Sequence, residues 1–297
     1  MNLAVFDCSP SYYFVADGLR WGTLNQGWNV TLHDHEGLDA SFMANRAHAV
    51  LNGIRATLLS SDFTGVDRGA AVVMMGYSGG SSPTTLAAEL KSTYAPALNI
   101  IGTAVGGLLP SLQSVYPTPS RLMHQSLSRN TTRKKQFEEF RPMCSEQLRS
   151  TLVYEKIASY FQRMEFLNSP DIQEIFSNNS LGQDVPAMPM FVYKSRHDEA
   201  SPTVDSDNLV SWYCREGARI HYRMQTQESH RYLALTGILQ DLAWSKERFN
   251  GLVMPEGCQN SIHSFASTDF DALAFLGETA VGAIERQLGV DLPSLII

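Results

Sequence analysis

The sequence predicts an α/β protein with a mainly parallel sheet and a helical insertion, and three observations carry that prediction. Short apolar runs of strand length recur along the chain, each followed by apolar residues at helical spacing. One of these runs leads into a turn in which glycines flank a serine. A long middle stretch differs, with helical patterning and no convincing strand. Continuous apolar strands alternating with helices mark a parallel sheet covered on both faces, because such strands have no polar side to present to water.

The first run, residues 3–6, reads as a buried strand followed by a Ser9-Pro10-Ser11 loop. Residues 28–32 give a second strand that ends at Asp34-His35-Glu36-Gly37. Residues 41–59 then place Phe42, Met43, Ala47, Val50, Leu51, Ile54 and Leu58 at near-helical intervals. Residues 70–75 form a strand entering Gly76-Tyr77-Ser78-Gly79-Gly80, with a helix through Leu86, Ala87, Ala88 and Leu90 behind it. Residues 100–105 form another, closed by Gly106-Gly107. Strands at 188–193 and 219–224 and a closing helix at 271–288 complete the core. Between them, residues 136–140, 152–166 and 172–176 have helical patterning, and the basic cluster at 129–135 reads as a solvated helix face. The expected organisation is one core in two blocks, 1–107 and 185–297, with a helical cap or lid at 108–184.

Composition narrows the function classes. The chain has 297 residues, 43% hydrophobic and 18% charged, which excludes disorder as the dominant state. A net charge of -7 lacks the basic footprint of a nucleic-acid binder, and no apolar run reaches the length of a membrane span. Residues 1–8 have no basic region ahead of their apolar stretch, so they read as strand rather than signal peptide. Cys8, Cys144, Cys214 and Cys258 match no zinc or redox spacing; two disulfides in any of three connectivities, or four free buried thiols, fit the count. Asn29, Asn130 and Asn178 open N-x-[ST] sequons.

Gly76-Tyr77-Ser78-Gly79-Gly80 is a G-x-S-x-G sequence between a buried strand and a helix beginning near Ser81. A serine hydroxyl is a poor nucleophile unless it is exposed, aimed and paired with a base, and a tight strand-to-helix turn provides the aim. Trypsin-like chemistry is excluded, because there the histidine and aspartate precede the serine in an all-β fold. With the order Ser, acid, His, the acid belongs after the strand at 188–193, where Asp198 is the first choice and Glu199 the second. Asp205 and Asp207 fall in the next helix and are expected to face water. The base belongs beyond one further strand: His230 meets that requirement, His263 on a later loop is the alternative, and His221 lies inside a strand. His33, His35 and His48 precede the serine, and His124 falls in the cap. The oxyanion would be met by the Gly79 amide and by a donor from the early junction Phe6-Asp7-Cys8. This chemistry requires no metal or organic cofactor.

Several motifs in fixed order resemble the fungal secretory lipase family of the α/β-hydrolase superfamily. They are Asp7-Cys8-Ser9-Pro10-Ser11-Tyr12, Asp34-His35-Glu36-Gly37, the Ser78 turn, Tyr94-Ala95-Pro96-Ala97-Leu98-Asn99, Asp198-Glu199 and Glu228-Ser229-His230. The resemblance implies Ser78, Asp198 and His230 as the catalytic residues, Asp7 and Gly79 as the oxyanion hole, and disulfides Cys8–Cys144 and Cys214–Cys258. It also implies an α/β-hydrolase core whose helical cap holds an acyl-chain tunnel. Relative to the family the chain is expected to lack early strands and a signal peptide. The expected location is therefore extracellular by resemblance, and intracellular if the N-terminus is genuine.

The resemblance implies a lipase-type serine carboxylic ester hydrolase in lipid catabolism, a monomer acting on an ester or lipid at a lipid–water interface. One alternative is an esterase that deacylates a secondary metabolite. The alternative of another class is a truncated homologue without catalysis.

Overall fold

Seven strands, counted among the described residues, form a single sheet in the order β2-β1-β3-β4-β5-β6-β7. They are β1 (Leu3–Asp7), β2 (Asn29–Leu32), β3 (Val72–Tyr77), β4 (Ile100–Gly106), β5 (Met190–Ser195), β6 (Ile220–Gln225) and β7 (Cys258–His263). Every pairing is parallel. The computed structural model describes residues 3–7, 20, 22–32, 46–111, 113–115, 135 and 169–264. The chain divides into two compact units. One comprises Met1–His35, Asn45–Pro110 and Leu181–Ile297, and the other comprises Glu36–Ala44 and Ser111–Ser180.

In the first unit, helices cover both faces of the sheet. Val72 and Met74 of β3 pack with α1 (Arg46–Leu59) through Val50, Leu51 and Ile54, and with α2 (Ser81–Tyr94) through Ala87 and Ala88. Further along the sheet, Met190 and Val192 of β5 pack against Leu209, Val210 and Tyr213 of a later helix, Thr203–Arg215. The intervening strand residues point the other way, as the two-residue period of a strand requires. Phe191 accordingly stacks on Trp244 of the helix Ile238–Phe249, with ring centroids 6.0 Å apart. Gly102 makes that approach possible, since a Cβ there would lie 2.8 Å from the Trp244 ring. Strands enclosed on both sides have no polar face, which is why β3 and β5 are buried at every position.

The second unit contains, among its described residues, α3 (Pro170–Asn178), where residues 172–176 predict a helix. Pro170 suits its first turn, because a proline there forfeits no intrahelical hydrogen bond. The later helices of the first unit are α4 (Thr203–Arg215), α5 (His230–Thr236) and α6 (Ile238–Phe249).

β7 is absent from the sequence expectation, and its composition explains why. Its residues Cys-Gln-Asn-Ser-Ile-His are half-buried or exposed, as suits a strand at the edge of the sheet, with β6 its one neighbour among the described residues. Cys258 at its start is disulfide-bonded to Cys214 of α4, at a Cα–Cα separation of 5.8 Å. A closed loop of 44 residues contributes up to about 4 kcal/mol by chain entropy. The same strand corrects the reading of His263, which ends β7 rather than sitting in a loop.

Cys8, Cys144, Asn130, His33, His35, His124, Phe42 and Met43 lie outside the described residues, as do the segments 136–140, 152–166 and 271–288. No helix among the described residues is long and apolar enough to cross a membrane.

Candidate active site

The first component of the site is the turn after β3. Tyr77 keeps extended backbone angles, the chain reverses through a short 3-10 turn, Ser78–Gly80, and α2 starts at Ser81. Ser78 has φ +53°, the one non-glycine residue with positive φ among those described. That conformation costs on the order of 1–3 kcal/mol and persists because its surroundings impose it. Gly76 is part of the imposition: a Cβ there would lie 2.4 Å from the Gly80 carbonyl oxygen and 2.6 Å from Thr84 Oγ1. Ser81 Oγ donates to the Ser78 carbonyl at 2.6 Å and accepts the Leu109 N–H at 3.1 Å. The serine thus stands at the N-terminus of α2, where helix dipole and free N–H groups favour developing negative charge.

The second component is the loop after β5. Asp198 has a fully buried side chain and no free edge. Its Oδ1 accepts the backbone N–H groups of Ala200 at 2.9 Å and Ser201 at 2.8 Å. Its Oδ2 meets His230 Nδ1 at 2.8 Å and Lys194 Nζ at 2.8 Å. Burial pushes this carboxyl up, but the hydrogen bond and charge of His230 and the charge of Lys194 outweigh it and hold the pKa at about 2. The loop itself is tied down by Ser195, whose Oγ donates to the Glu228 carbonyl and accepts the His197 N–H.

The third component follows β6. His230 opens α5, with Ser229 as the N-cap accepting the Tyr232 N–H. It is 2% exposed, and its Nε2 lies 2.8 Å from Ser78 Oγ. With Nδ1–H donated to the Asp198 carboxylate, Nε2 is the nitrogen left to accept from the serine hydroxyl. Its backbone is held too: Glu199 Oε2 accepts the His230 N–H at 2.8 Å, and the Tyr77 hydroxyl donates to the His230 carbonyl at 2.5 Å. Gly107, at φ +55°, makes room for the ring, because a Cβ there would lie 2.7 Å from His230 Cε1.

The structure therefore brings Ser78, His230 and Asp198 into one hydrogen-bonded line, and gives Glu199 the His230 backbone instead of its ring. Gly79 follows Ser78 in the turn. Asp7 ends β1 in register with Gly76, which sets the end of β1 beside the turn. Other candidates lie apart from this line. His221 of β6 is 3.1 Å from Ser261 Oγ of β7, and His48 meets the Tyr94 ring edge-on at 4.5 Å. Of the two aspartates of α4, one faces water. Asp207 is exposed as expected, although its Oδ1 also accepts the Tyr222 hydroxyl at 2.7 Å, whereas Asp205 is half-buried with its Oδ2 enclosed. Sequence reasoning does not single out Lys194, which directly follows the apolar run Met190-Phe191-Val192-Tyr193.

The class of protein follows from this architecture. A parallel sheet covered by helices, with the serine on a strained turn after β3 and acid and histidine after later strands, is an α/β-hydrolase fold. The comparisons narrow the class. The profile of the secretory lipase family matches residues 17–118 and 108–257. Lipase A of Arthroderma benhamiae is 34% identical over 97% of this chain and 70% of its own length. "Probable trichothecene esterase SAT6" of Stachybotrys chartarum is 31% identical over 77% of this chain and 55% of its own length. Among solved structures, Candida antarctica lipase A superposes with a TM-score of 0.78 at 22% identity, covering 96% of this chain and 78% of that one. The chain belongs to the secretory lipase family.

Proposed function

We propose that this chain is a serine carboxylic ester hydrolase of lipase type, with Ser78 as nucleophile, His230 as base and Asp198 as the acid that orients it. The observation that carries the reading is the unbroken line Ser78–His230–Asp198, at 2.8 Å for each step, on a turn with positive φ at the serine. Ser78 Oγ attacks the ester carbonyl carbon as its proton passes to His230 Nε2. Asp198 keeps Nδ1 protonated and stabilises the imidazolium. The Gly79 amide and a donor from Asp7 receive the oxyanion. Collapse of the tetrahedral intermediate expels the alcohol, which takes the proton from His230 and leaves an acyl-Ser78 ester. Water, deprotonated by His230, then releases the carboxylic acid and restores the serine. Neither metal nor organic cofactor takes part.

The substrate class is an acylglycerol, and the organisation that goes with it is a helical cap at residues 108–184 inserted in sequence between core blocks 1–107 and 185–297. The family supports extracellular work at a lipid–water interface, and the Cys214–Cys258 disulfide suits an oxidising compartment. We assign the chain as a monomer. A second reading, deacylation of a secondary metabolite, is favoured by its similarity to the protein named as a trichothecene esterase. Rates on p-nitrophenyl esters of increasing chain length separate the two. Activity that persists beyond butyrate and extends to triolein supports the lipase; activity confined to acetate supports the esterase. A fluorophosphonate probe should label the protein but not Ser78→Ala, and a folded protein that takes no label would overturn both readings.

A further inference from the structure

Lys194 is the penultimate residue of β5, and its side chain is fully buried. Its ammonium has two acceptors: Asp198 Oδ2 at 2.8 Å and the Leu108 carbonyl at 3.0 Å. That carbonyl also accepts from Ser201 Oγ and Ser206 Oγ, each at 3.1 Å. A buried ammonium is costly to desolvate, and an apolar side chain of the same length would fill the space without that cost. Filling volume therefore does not account for it.

Two consequences follow from where the ammonium sits. Asp198 Oδ1 is fixed by two backbone N–H groups, so the carboxylate orientation is complete only when Oδ2 is fixed as well. Lys194 and His230 share that oxygen, and Lys194 holds it whether or not the imidazole is in place. The positive charge also offsets the carboxylate that stabilises the imidazolium formed in each half-reaction. The charged groups around Lys194 are Asp198 from the loop after β5, His230 on α5, and Asp205 and Asp207 from α4. Glu199 lies on the backbone side of His230. Burial pulls the lysine down, and the three aspartates, Asp198 foremost, hold its charge in place.

We propose that Lys194 is a positioning residue for the catalytic acid: it locks the Asp198 carboxylate toward His230 and moves the working pH range of the enzyme downward. This rests on the Ser78–His230–Asp198 reading, and the tests keep the two separable. Active-site titration of wild type with the fluorophosphonate comes first, and absence of Ser78 labelling overturns both. Given labelling, Lys194→Met should lower kcat about tenfold with KM little changed. The acid limb of its kcat/KM profile should move up by about one pH unit, the scale expected when a nearby buried charge is removed. Lys194→Arg should return the limb toward its wild-type position. A Lys194→Met profile superimposed on wild type, or an arginine variant shifted as far as methionine, overturns the proposal.

Removing both partners together leaves no unpaired buried charge, so Lys194→Met/Asp198→Asn serves even if Lys194→Met alone does not fold. Its residual activity should match that of Asp198→Asn within about twofold, because a residue acting through Asp198 has nothing left to position. A further tenfold loss in the double variant would show that Lys194 acts by another route.

Discussion

The two sides of the Ser78–His230 hydrogen bond are built by different means. The serine side is local: Gly76, Ser78, Gly80, Ser81 and Thr84 lie within nine positions, and steric exclusion among them imposes the +53° φ. The acid–base side is assembled from distant chain. Asp198 and His230 are 32 residues apart, His230 and Ser78 are 152 apart, and Leu108 and Gly107 come from the end of β4. Sterics fix the first side, whereas charge and hydrogen bonds, with one close approach at Gly107, fix the second. An added methyl at Gly76 should therefore abolish the serine side, while loss of single groups on the other side should degrade it in steps.

The largest effect is expected from Gly76→Ala. Its Cβ would collide with backbone at 2.4 Å, which no flexible side chain can relieve. A loss of about 3 kcal/mol in urea unfolding, together with no probe labelling, is the expected result. Labelling at the wild-type rate would mean the turn is not sterically imposed. Gly107→Ala adds its methyl on the other side, 2.7 Å from His230 Cε1 and at positive φ. It should cost about 1 kcal/mol of stability and roughly a hundredfold in kcat, because a displaced imidazole no longer meets Ser78. Glu199→Ala removes only the acceptor of the His230 N–H, and stopped assays should find a fall of about three- to tenfold. A fall as deep as that of Asp198→Asn would reverse the roles of the two carboxylates.

Two buried aspartates give the smallest and most specific test of the charge side. Asp198 has two N–H donors, a histidine and a lysine, and its carboxyl is held at about 2 against an ordinary 3.8. Its stabilisation is present above pH 3.8 and is lost as the pH falls toward 2. Among the described residues Asp241 has one partner, the Tyr193 hydroxyl at 2.7 Å, with none for its Oδ1, and burial raises it to about 7. Its contribution is full below pH 3.8 and lost as the pH rises through 7. Relative to wild type, Asp241→Asn should gain stability between pH 4 and 8, while the deficit of Asp198→Asn should shrink from pH 4 to 2. Parallel unfolding curves across that range would show that the partners, as assigned, do not set these charges.

The same contrast accounts for what could be read in advance. β3, β5 and the Ser78 turn are legible because enclosure on both faces leaves apolar runs, and a strained turn demands glycine. β7 is not, because a half-exposed strand, paired among the described residues with β6 alone, needs no apolar pattern. Lys194 escaped notice because burial of a cation makes sense only once its acceptors are known. Asp205 reads as solvated for a related reason: α4's register against the sheet is not written in helical periodicity, and its Oδ2 is enclosed while Asp207 stays exposed.

The sequence by itself determined the class of fold and the serine turn, since hydrophobic burial and backbone sterics act over short stretches of chain. It also ordered serine, acid and histidine along the strands, but it left Asp198 and Glu199 as alternatives. Only the tertiary structure divided their roles, directing Asp198 to the His230 ring and Glu199 to its backbone N–H. That choice depends on where β4, β5 and α5 bring Leu108, Lys194 and His230 together. Long-range electrostatics inside a protein depends on distance and dehydration, and a linear sequence carries neither.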